Sequence, residues 1–303
     1  MRKATISISK SALQHNLQRV KQLAPNAKTV CMVKANAYGT GVAQAITAFE
    51  TADAFGVACL EEALEVRQLG NNKPITLIEG IFTEDEMPIV IKYNIECIIH
   101  HQQQLDWLLK YKDAYISQGL KVWVKLNSGM NRLGFKVPEI IDVIHMLKAQ
   151  GFTCVLAMHF ANADDDHPLN DQQKAQFLQV KEACAPIMAS CCNSAAIIKW
   201  PELHFDFVRP GIMLYGASPF ANISATELNL KAVMQFDAEI IALNHINAGE
   251  YVGYGSTFKA QHDMTLAIVS IGYGDGYPRA FAQQNYVAIA GKLVPLVGRV
   301  AMD

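Results

Sequence analysis

The sequence predicts an α/β protein in which a (β/α)8 barrel is followed by a mostly-β domain. Two observations support this fold class. Eight short apolar runs alternate with amphipathic stretches between about residues 29 and 216. Beyond residue 229, strand-like runs follow one another with no convincing helix between them. Runs that are apolar throughout suit the strands of a parallel sheet, and eight strand–helix units in this length match a barrel better than an open sheet.

The elements can be read in chain order. The predicted barrel strands are TVCMVKA, AFGVACL, PITLIEG, IECIIH, VWVKLN, CVLAMHF, IMASCC and FDFVRPGIMLYG. Helical segments such as EEALEVRQLG and IIDVIHMLKAQG lie between them. In DQQKAQFLQVKEA the predicted apolar face consists of Ala175, Leu178, Val180 and Ala183. A doubly wound open sheet is the alternative that the strand count leaves open.

The last part of the chain reads as an all-β domain. Its runs are VMQFDAEIIALNHI, EYVGYGSTF, MTLAIVSIGYG and NYVAIAGKLVPLVGRV, divided by Gly, Asn-Ala-Gly and Pro-Arg turns. The sequence ends at GRVAMD without a terminating turn, so this domain is expected to be incomplete at its C-terminal end.

Composition argues against several functional classes. The chain has 303 residues, 51% of them hydrophobic, and a formal net charge of −2. This charge gives no electrostatic reason to expect binding to nucleic acid or to an anionic membrane. No apolar run reaches the length of a membrane span, and no signal peptide follows the basic N-terminus. Seven scattered cysteines indicate reduced thiols, and the expected location is the cytoplasm.

Polar side chains follow the predicted strands, at the rim where a barrel of this type places its active site. They are Lys34, Lys125, Arg132, His159, Asn193, Ser194 and Arg209. A lysine desolvated at a barrel mouth can react with an aldehyde, although an ordinary exposed strand-end lysine is the alternative. His159 reads equally well as a buried core histidine or as a functional one.

An anion site is predicted at the same rim. Ser194 begins a short helix in CNSAA, where N–H groups and a hydroxyl can hold a phosphate, unless it is a plain N-cap. The backbone amides of Gly211 and Ile212 in RPGI approach the same rim. A phosphate site beside an aldehyde-reactive lysine indicates pyridoxal phosphate.

Eight motifs, taken together and in this order, resemble those of the alanine racemases. They are VKANAYG (33–39), KLNSGMNRLG (125–134), HFA (159–161), NSAA (193–196), RPGIMLYG (209–216), VGYGSTF (252–258), IGYGDGYPR (271–279) and VGRVAMD (297–303). The resemblance implies a pyridoxal-phosphate-binding barrel at 9–228 and a β domain at 229–303 that also takes in residues 1–8. It further implies a homodimer in which the β domain of one chain closes the barrel mouth of the other.

The resemblance also implies residue roles. Lys34 and Tyr254 would be the two catalytic bases, with Lys34 bonded to pyridoxal 5′-phosphate. The implied cofactor-binding residues are Tyr38, His159, Asn193, Ser194, Arg209, Gly211 and Ile212. Arg132, Met302 and Tyr273 would contact the amino acid substrate or line its access route, and Tyr254, Tyr273 and Met302 would serve the partner's site. Lys125 matches a lysine that is carboxylated in some members, and no metal is expected.

Three departures from the family pattern affect these implications. Thr40 stands where the family often has His, and Asn127-Ser128 stands where it often has Asp-Thr. The neutral Asn127 alters the charge near Lys125. A phosphate-binding tyrosine expected near the family's C-terminus is absent from this sequence.

The implied activity is racemisation of alanine by two bases on opposite faces of the substrate. A tyrosine phenol titrates near pKa ~10, so Tyr254 needs nearby positive charge, for which Arg132, His159 and Arg209 are the candidates. A broad-specificity or serine racemase remains open, as do a cofactor-binding barrel without catalysis and a basic amino acid decarboxylase. The last would need an acidic cluster that the strand ends do not show. The sequence also leaves open whether the enzyme supplies D-alanine for peptidoglycan or takes part in the breakdown of alanine.

Overall fold

The structure of the chain, a computed structural model, describes residues 4–282 and 285–303. These residues fall into two compact units. The larger unit is Ile8–Met234, and the smaller one combines the segment ending at Ser7 with Gln235–Asp303.

After a first strand, β1 (Ala4–Ile8), the larger unit contains one parallel sheet of eight strands. The strands are β2 (Lys28–Met32), β3 (Ala54–Val57), β4 (Ile75–Leu77), β5 (Ile95–Ile99), β6 (Lys121–Lys125), β7 (Thr153–Ala157), β8 (Met188–Ser190) and β9 (Phe207–Val208). From β2 to β8 each strand pairs with the next along the chain, and β9 pairs with β2. Hydrogen bonds from Asp206 N–H to the Ala189 carbonyl and from Arg209 N–H to the Cys192 carbonyl connect β9 to β8.

This strand order gives a nearly closed barrel. A doubly wound sheet would reverse its strand order at a switch point, and no reversal occurs here. The predicted barrel is therefore confirmed and the open-sheet alternative is wrong.

Helices alternate with the strands. They are α1 (Lys10–Leu23), α2 (Lys34–Tyr38), α3 (Val42–Ala48), α4 (Leu60–Gln68), α5 (Glu86–Lys92), α6 (Gln102–Lys110), α7 (Lys112–Ser117), α8 (Val137–Ala149), α9 (Leu169–Ala183) and α10 (Ser194–Lys199). Apart from the short α2, whose backbone is left-handed at residues 35–38, their buried faces pack around the outside of the barrel because the strands are apolar on both sides.

The inside of the barrel is filled by side chains. Its apolar cluster comprises Val30, Ala54, Ile98, Trp123, Val155, Ala157 and Phe207. The Trp123 indole N–H donates to buried Glu96 at 2.8 Å, and Lys121 Nζ donates to the same carboxylate at 2.7 Å. Each large apolar side chain buried here contributes roughly 1.5–3 kcal/mol. The barrel is thus a packed core, and its carboxyl-end rim carries the polar residues.

The predicted apolar face of α9 is wrong at three of its four residues, since only Val180 is buried. Ala175, Leu178 and Ala183 are exposed, whereas Phe177 and Val180 are buried. The buried face also includes Asn170 and Gln173. A polar side chain can lie on a buried helix face when its hydrogen bonds are satisfied, and the bonds of Gln173 are described below.

The smaller unit is mostly β, as predicted. Its strands are β10 (Met234–Ala238), β11 (Ile240–Ile246), β12 (Tyr251–Val252), β13 (Phe258–Lys259), β14 (Met264–Val269), β15 (Tyr286–Ile289) and β16 (Lys292–Pro295). They form the two-stranded pairs β1–β10, β11–β14, β12–β13 and β15–β16. Within residues 4–282 and 285–303, no helix combines the length and apolar character needed to cross a membrane.

Candidate active site

A cavity of about 380 Å³ opens in the larger unit, among residues at the carboxyl ends of the barrel strands. Its size is within the usual range for small-molecule sites. Ten sequence-predicted residues line it: Lys34, Tyr38, Lys125, Arg132, His159, Asn193, Ser194, Arg209, Gly211 and Ile212. Asp164, which the sequence reasoning did not single out, lines the cavity too. The larger unit therefore brings all its predicted site residues together.

The other three predicted residues belong to the smaller unit. The side chain of Tyr254 is 72% exposed, and Met302 and Tyr273 are exposed as well. Tyr273 N–H donates to the Ala301 carbonyl at 3.0 Å, and Gly274 N–H donates to the Met302 carbonyl at 2.9 Å. These bonds bring the Tyr273 and Met302 segments together within this unit.

Lys34 lies at the start of an unusual backbone segment, which we call the left-handed turn (residues 35–38). Ala35, Asn36, Ala37 and Tyr38 have φ values of 52°, 52°, 54° and 56°. Left-handed backbone costs roughly 1–2 kcal/mol per residue for L-amino acids other than glycine. Four such residues in a row persist only when the surrounding structure holds them, and conformations of this kind cluster at functional sites.

Neighbouring groups hold the left-handed turn in place. Asn36 Oδ1 accepts a hydrogen bond from Val42 N–H at 2.8 Å, and Thr40 Oγ1 donates to the Ala37 carbonyl at 2.6 Å. The Tyr38 ring stacks on Tyr215 with 4.6 Å between centroids. Through these contacts the turn presents Lys34 and Tyr38 to the same cavity.

An anion cradle, formed around Ser194 and Gly211, adjoins the turn at Tyr38. Ser194 Oγ accepts hydrogen bonds from Gly211 N–H at 3.0 Å and Met213 N–H at 3.4 Å, which leaves its own hydroxyl hydrogen to donate to a ligand. A Cβ atom at Gly211 would overlap the Tyr38 hydroxyl, so only glycine lets that hydroxyl approach. The Gly211 amide thus orients Ser194 instead of facing the cavity. The hydroxyls of Ser194 and Tyr38, together with the N–H groups in the first turn of α10, can therefore donate hydrogen bonds to a phosphate.

Arg209 lines the cavity from the end of β9 and is 6% exposed. Its Nη1 donates to the Ser190 carbonyl at 2.9 Å and to Ser190 Oγ at 2.5 Å, and Nη2 donates to the Met158 carbonyl. Burial lowers the pKa of this guanidinium, but an arginine stays charged in proteins. Among the described ion pairs none involves Arg209. It is therefore a fixed positive charge that does not donate its proton.

Burial and neighbouring cations lower the pKa values of two further side chains in the cavity, Lys125 and His159. Burial, with Arg209 and Arg132 nearby, lowers the pKa of Lys125 to about 8. Burial and the same cations lower the pKa of His159 to about 3. The lowered pKa favours the neutral form of His159 at ordinary pH, so His159 is a weaker candidate than the two arginines for the positive charge near a tyrosine. Arg132 and Arg209 remain the candidates.

The sequence reasoning missed Gln173 of α9 as a site residue. Its amide oxygen accepts from Ala161 N–H at 3.0 Å, and its amide nitrogen donates to the His159 carbonyl at 3.1 Å and to Ser128 Oγ at 3.0 Å. One buried side chain therefore connects the segment after β7 to the loop that carries Arg132. Its helical spacing to Phe177 was the available signal, since both share one face.

Comparisons with known proteins agree with this geometry. The model for the alanine racemase N-terminal domain matches residues 8–219, and that for the C-terminal domain matches residues 233–303. The alanine racemase of Psychrobacter sp. (strain PRwf-1) is 46% identical over 316 residues, covering 100% of this chain and 84% of that protein. The structure of alanine racemase from Acinetobacter baumannii has a TM-score of 0.99 at 71% identity, covering 100% of this chain and 85% of that one. For alanine racemase from Bartonella henselae with covalently bound pyridoxal phosphate, the TM-score is 0.84 at 28% identity, with coverages of 100% and 85%.

Proposed function

The chain belongs to the alanine racemase family, and we propose that it interconverts L-alanine and D-alanine with pyridoxal 5′-phosphate bound in the cavity of the larger unit. The observation that carries the proposal is that one cavity contains groups that the cofactor requires. It combines an amine, Lys34, with an anion cradle and a fixed cation, Arg209.

The residues present fit this cofactor. Lys34 would hold it covalently, Tyr38 and Ser194 with the Ile212 backbone would hold its phosphate, and Arg209 would face its ring nitrogen. Asn193 and His159 would line the cavity around the cofactor. Gly211 would contribute indirectly, because its N–H orients the Ser194 hydroxyl. When bound, pyridoxal phosphate withdraws electrons from the α-carbon of the amino acid and so makes its proton removable.

Two side chains then move the proton. Lys34 Nζ serves one face of the substrate α-carbon and Tyr254 Oη serves the other, so that one takes a proton while the other delivers one. Arg132 and Arg209 would stabilise the phenolate of Tyr254 by their charge. Arg209 keeps its own proton and would therefore leave the ring nitrogen of the cofactor unprotonated. This favours return of a proton to the α-carbon of the substrate over protonation of the cofactor carbon.

Arg132 and the backbone of Met302 are proposed to hold the substrate carboxylate, and Tyr273 to line the access route. We place Tyr254, Tyr273 and Met302 in the site of a second copy. Their exposure supports this assignment, as do Ile241 and Leu243, whose side chains are each 64% exposed. The proposed assembly is a homodimer with shared active sites.

Two finer assignments complete the proposal. Lys125 is proposed as a carboxylated lysine, since carboxylation needs the neutral amine and a pKa of about 8 supplies it at mildly alkaline pH. All seven cysteines are free thiols, and six of them are buried, which supports the cytoplasm as the location.

A chiral assay tests the proposal. Wild-type protein loaded with pyridoxal phosphate should racemise alanine, and Lys34→Ala should lose both the visible absorbance of bound cofactor and its fixation by borohydride. Alanine and serine are compared side by side, because faster turnover of serine would favour a serine racemase. A wild-type protein that binds the cofactor but leaves both amino acids unchanged would favour the non-catalytic barrel and contradict the proposal.

A further inference from the structure

Glu62 of α4 makes two contacts that the proposed chemistry does not use. Its Oε1 accepts a hydrogen bond from Ala35 N–H at 2.6 Å, and its Oε2 accepts one from Ala58 N–H at 2.7 Å. Ala35 follows β2 and Ala58 follows β3. One carboxylate therefore connects the carboxyl ends of two neighbouring barrel strands.

Ala35 occupies a special position. It follows Lys34 directly and is the first residue of the left-handed turn. Its N–H bond to Glu62 is charge-assisted, and such bonds are stronger than those between neutral groups. The Ala35 N–H lies in the peptide plane that joins Lys34 to Ala35, so its bond to Glu62 fixes the direction of the plane from which the left-handed turn starts.

The carboxylate acts on backbone and not on a cationic side chain. Among the described ion pairs none involves Glu62 or Lys34. Glu62 is itself only partly buried, and its two backbone bonds fix the direction of its carboxylate. Its charge is therefore used to hold two N–H groups in place.

We propose that Glu62 is a positioning residue: it holds the left-handed turn so that Lys34 and Tyr38 both face the cavity. This inference rests on the proposed function, because it concerns the lysine that would hold pyridoxal phosphate. It extends the site to a helix residue that touches neither cofactor nor substrate.

Glu62→Gln is the informative variant, because it keeps the shape while replacing one acceptor oxygen with an NH2 group that cannot accept. The dissociation constant of pyridoxal phosphate for the apoprotein should rise about tenfold or more, the usual effect of losing a hydrogen bond to a charged group. Visible absorbance gives the affinity, and mass spectrometry after borohydride reduction gives the fraction fixed on Lys34. Glu65→Gln, an exposed position on the same helix, is the control and should bind as wild type does.

A second substitution separates positioning from general stability. Glycine adopts positive φ without the penalty of other residues, so Ala35→Gly in the Glu62→Gln background should recover a large part of the affinity. A merely structural role would lower the unfolding temperature of the apoprotein and leave cofactor affinity unchanged.

Wild-type affinity in Glu62→Gln, or no recovery with Ala35→Gly, would overturn the positioning role while leaving the proposed function intact. Failure of the wild-type protein to take up pyridoxal phosphate would overturn both, which distinguishes the two failures.

Discussion

Lys125 shows how single side chains in the cavity depart from their ordinary behaviour. It is 6% exposed, and no hydrogen bond of its amine occurs among those of the described residues. Asn127, two residues on, uses its Oδ1 to accept from Gly129 N–H and Asn131 N–H and brings no negative charge. The charged form of Lys125 is thus destabilised by burial and by neighbouring cations.

This destabilisation has a defined pH dependence. The pKa of Lys125 is lowered from 10.5 to about 8 on folding, so the unfolded chain binds more protons between these values and the free energy of unfolding rises with pH there. The penalty is complete below pH 8 and absent above pH 10.5. Lys125→Met removes this penalty. Relative to wild type, its free energy of unfolding should therefore increase by about 3 kcal/mol more at pH 7 than at pH 10.5.

Denaturant unfolding of the apoprotein in bicarbonate-free buffer measures this difference. The exposed Lys28→Met is the matched control. An equal effect of Lys125→Met at both pH values would show that the amine is not destabilised.

Arg209 allows a test of reaction specificity. Because an arginine retains its proton, the proposed site leaves the cofactor ring nitrogen unprotonated. The carboxylate of Arg209→Glu would stabilise a proton on that nitrogen, and the share of alanine converted to pyruvate instead of D-alanine should rise. Product analysis over many turnovers measures that share, and no increase in a variant that still binds the cofactor would count against this role.

Helix α9 shows what an element contributes to the site. Its amphipathic pattern predicted the helix, but its apolar residues indicated the wrong face. The buried face includes polar Gln173, which three hydrogen bonds satisfy, and the only signal for Gln173 was its helical spacing to Phe177. The left-handed turn was equally hidden from sequence reasoning. Its residues Ala35, Ala37 and Tyr38 have no preference for positive φ. The alternating apolar runs, by contrast, predicted all eight barrel strands, because each strand is buried on both sides.

Gln173→Leu should disturb substrate binding more than cofactor binding. It leaves the Ala161 N–H and the His159 carbonyl without their partner, at about 1–3 kcal/mol each when buried, and frees the loop that carries Arg132. The KM for alanine should rise about tenfold while the affinity for pyridoxal phosphate changes little. Steady-state kinetics with Gln179→Leu, an exposed position on the same helix, as control would measure this, and an unchanged KM would contradict it.

At the scale of the whole molecule, the sequence partly predicted the division into two compact units. The compact units Ile8–Met234 and Gln235–Asp303 lie close to the predicted domains, although the domain assignment at 9–228 and 229–303 stays a prediction. Strand ends pointed to the rim residues of the barrel because parallel strands share one carboxyl edge. No such rule applies to Tyr254, whose role comes from the resemblance alone.

Mixing two inactive variants tests whether Lys34 and Tyr254 of different copies form one site. Lys34→Ala and Tyr254→Phe proteins, each assembled as the proposed homodimer, are expected to racemise alanine very slowly. After subunit exchange, half of the dimers are mixed and each mixed dimer has one intact site, so about a quarter of wild-type activity should return. Mass spectrometry confirms the exchange, and wild-type protein carried through the same steps sets the reference. A fully exchanged mixture that stays as inactive as its parents would show that the two residues do not act together across copies.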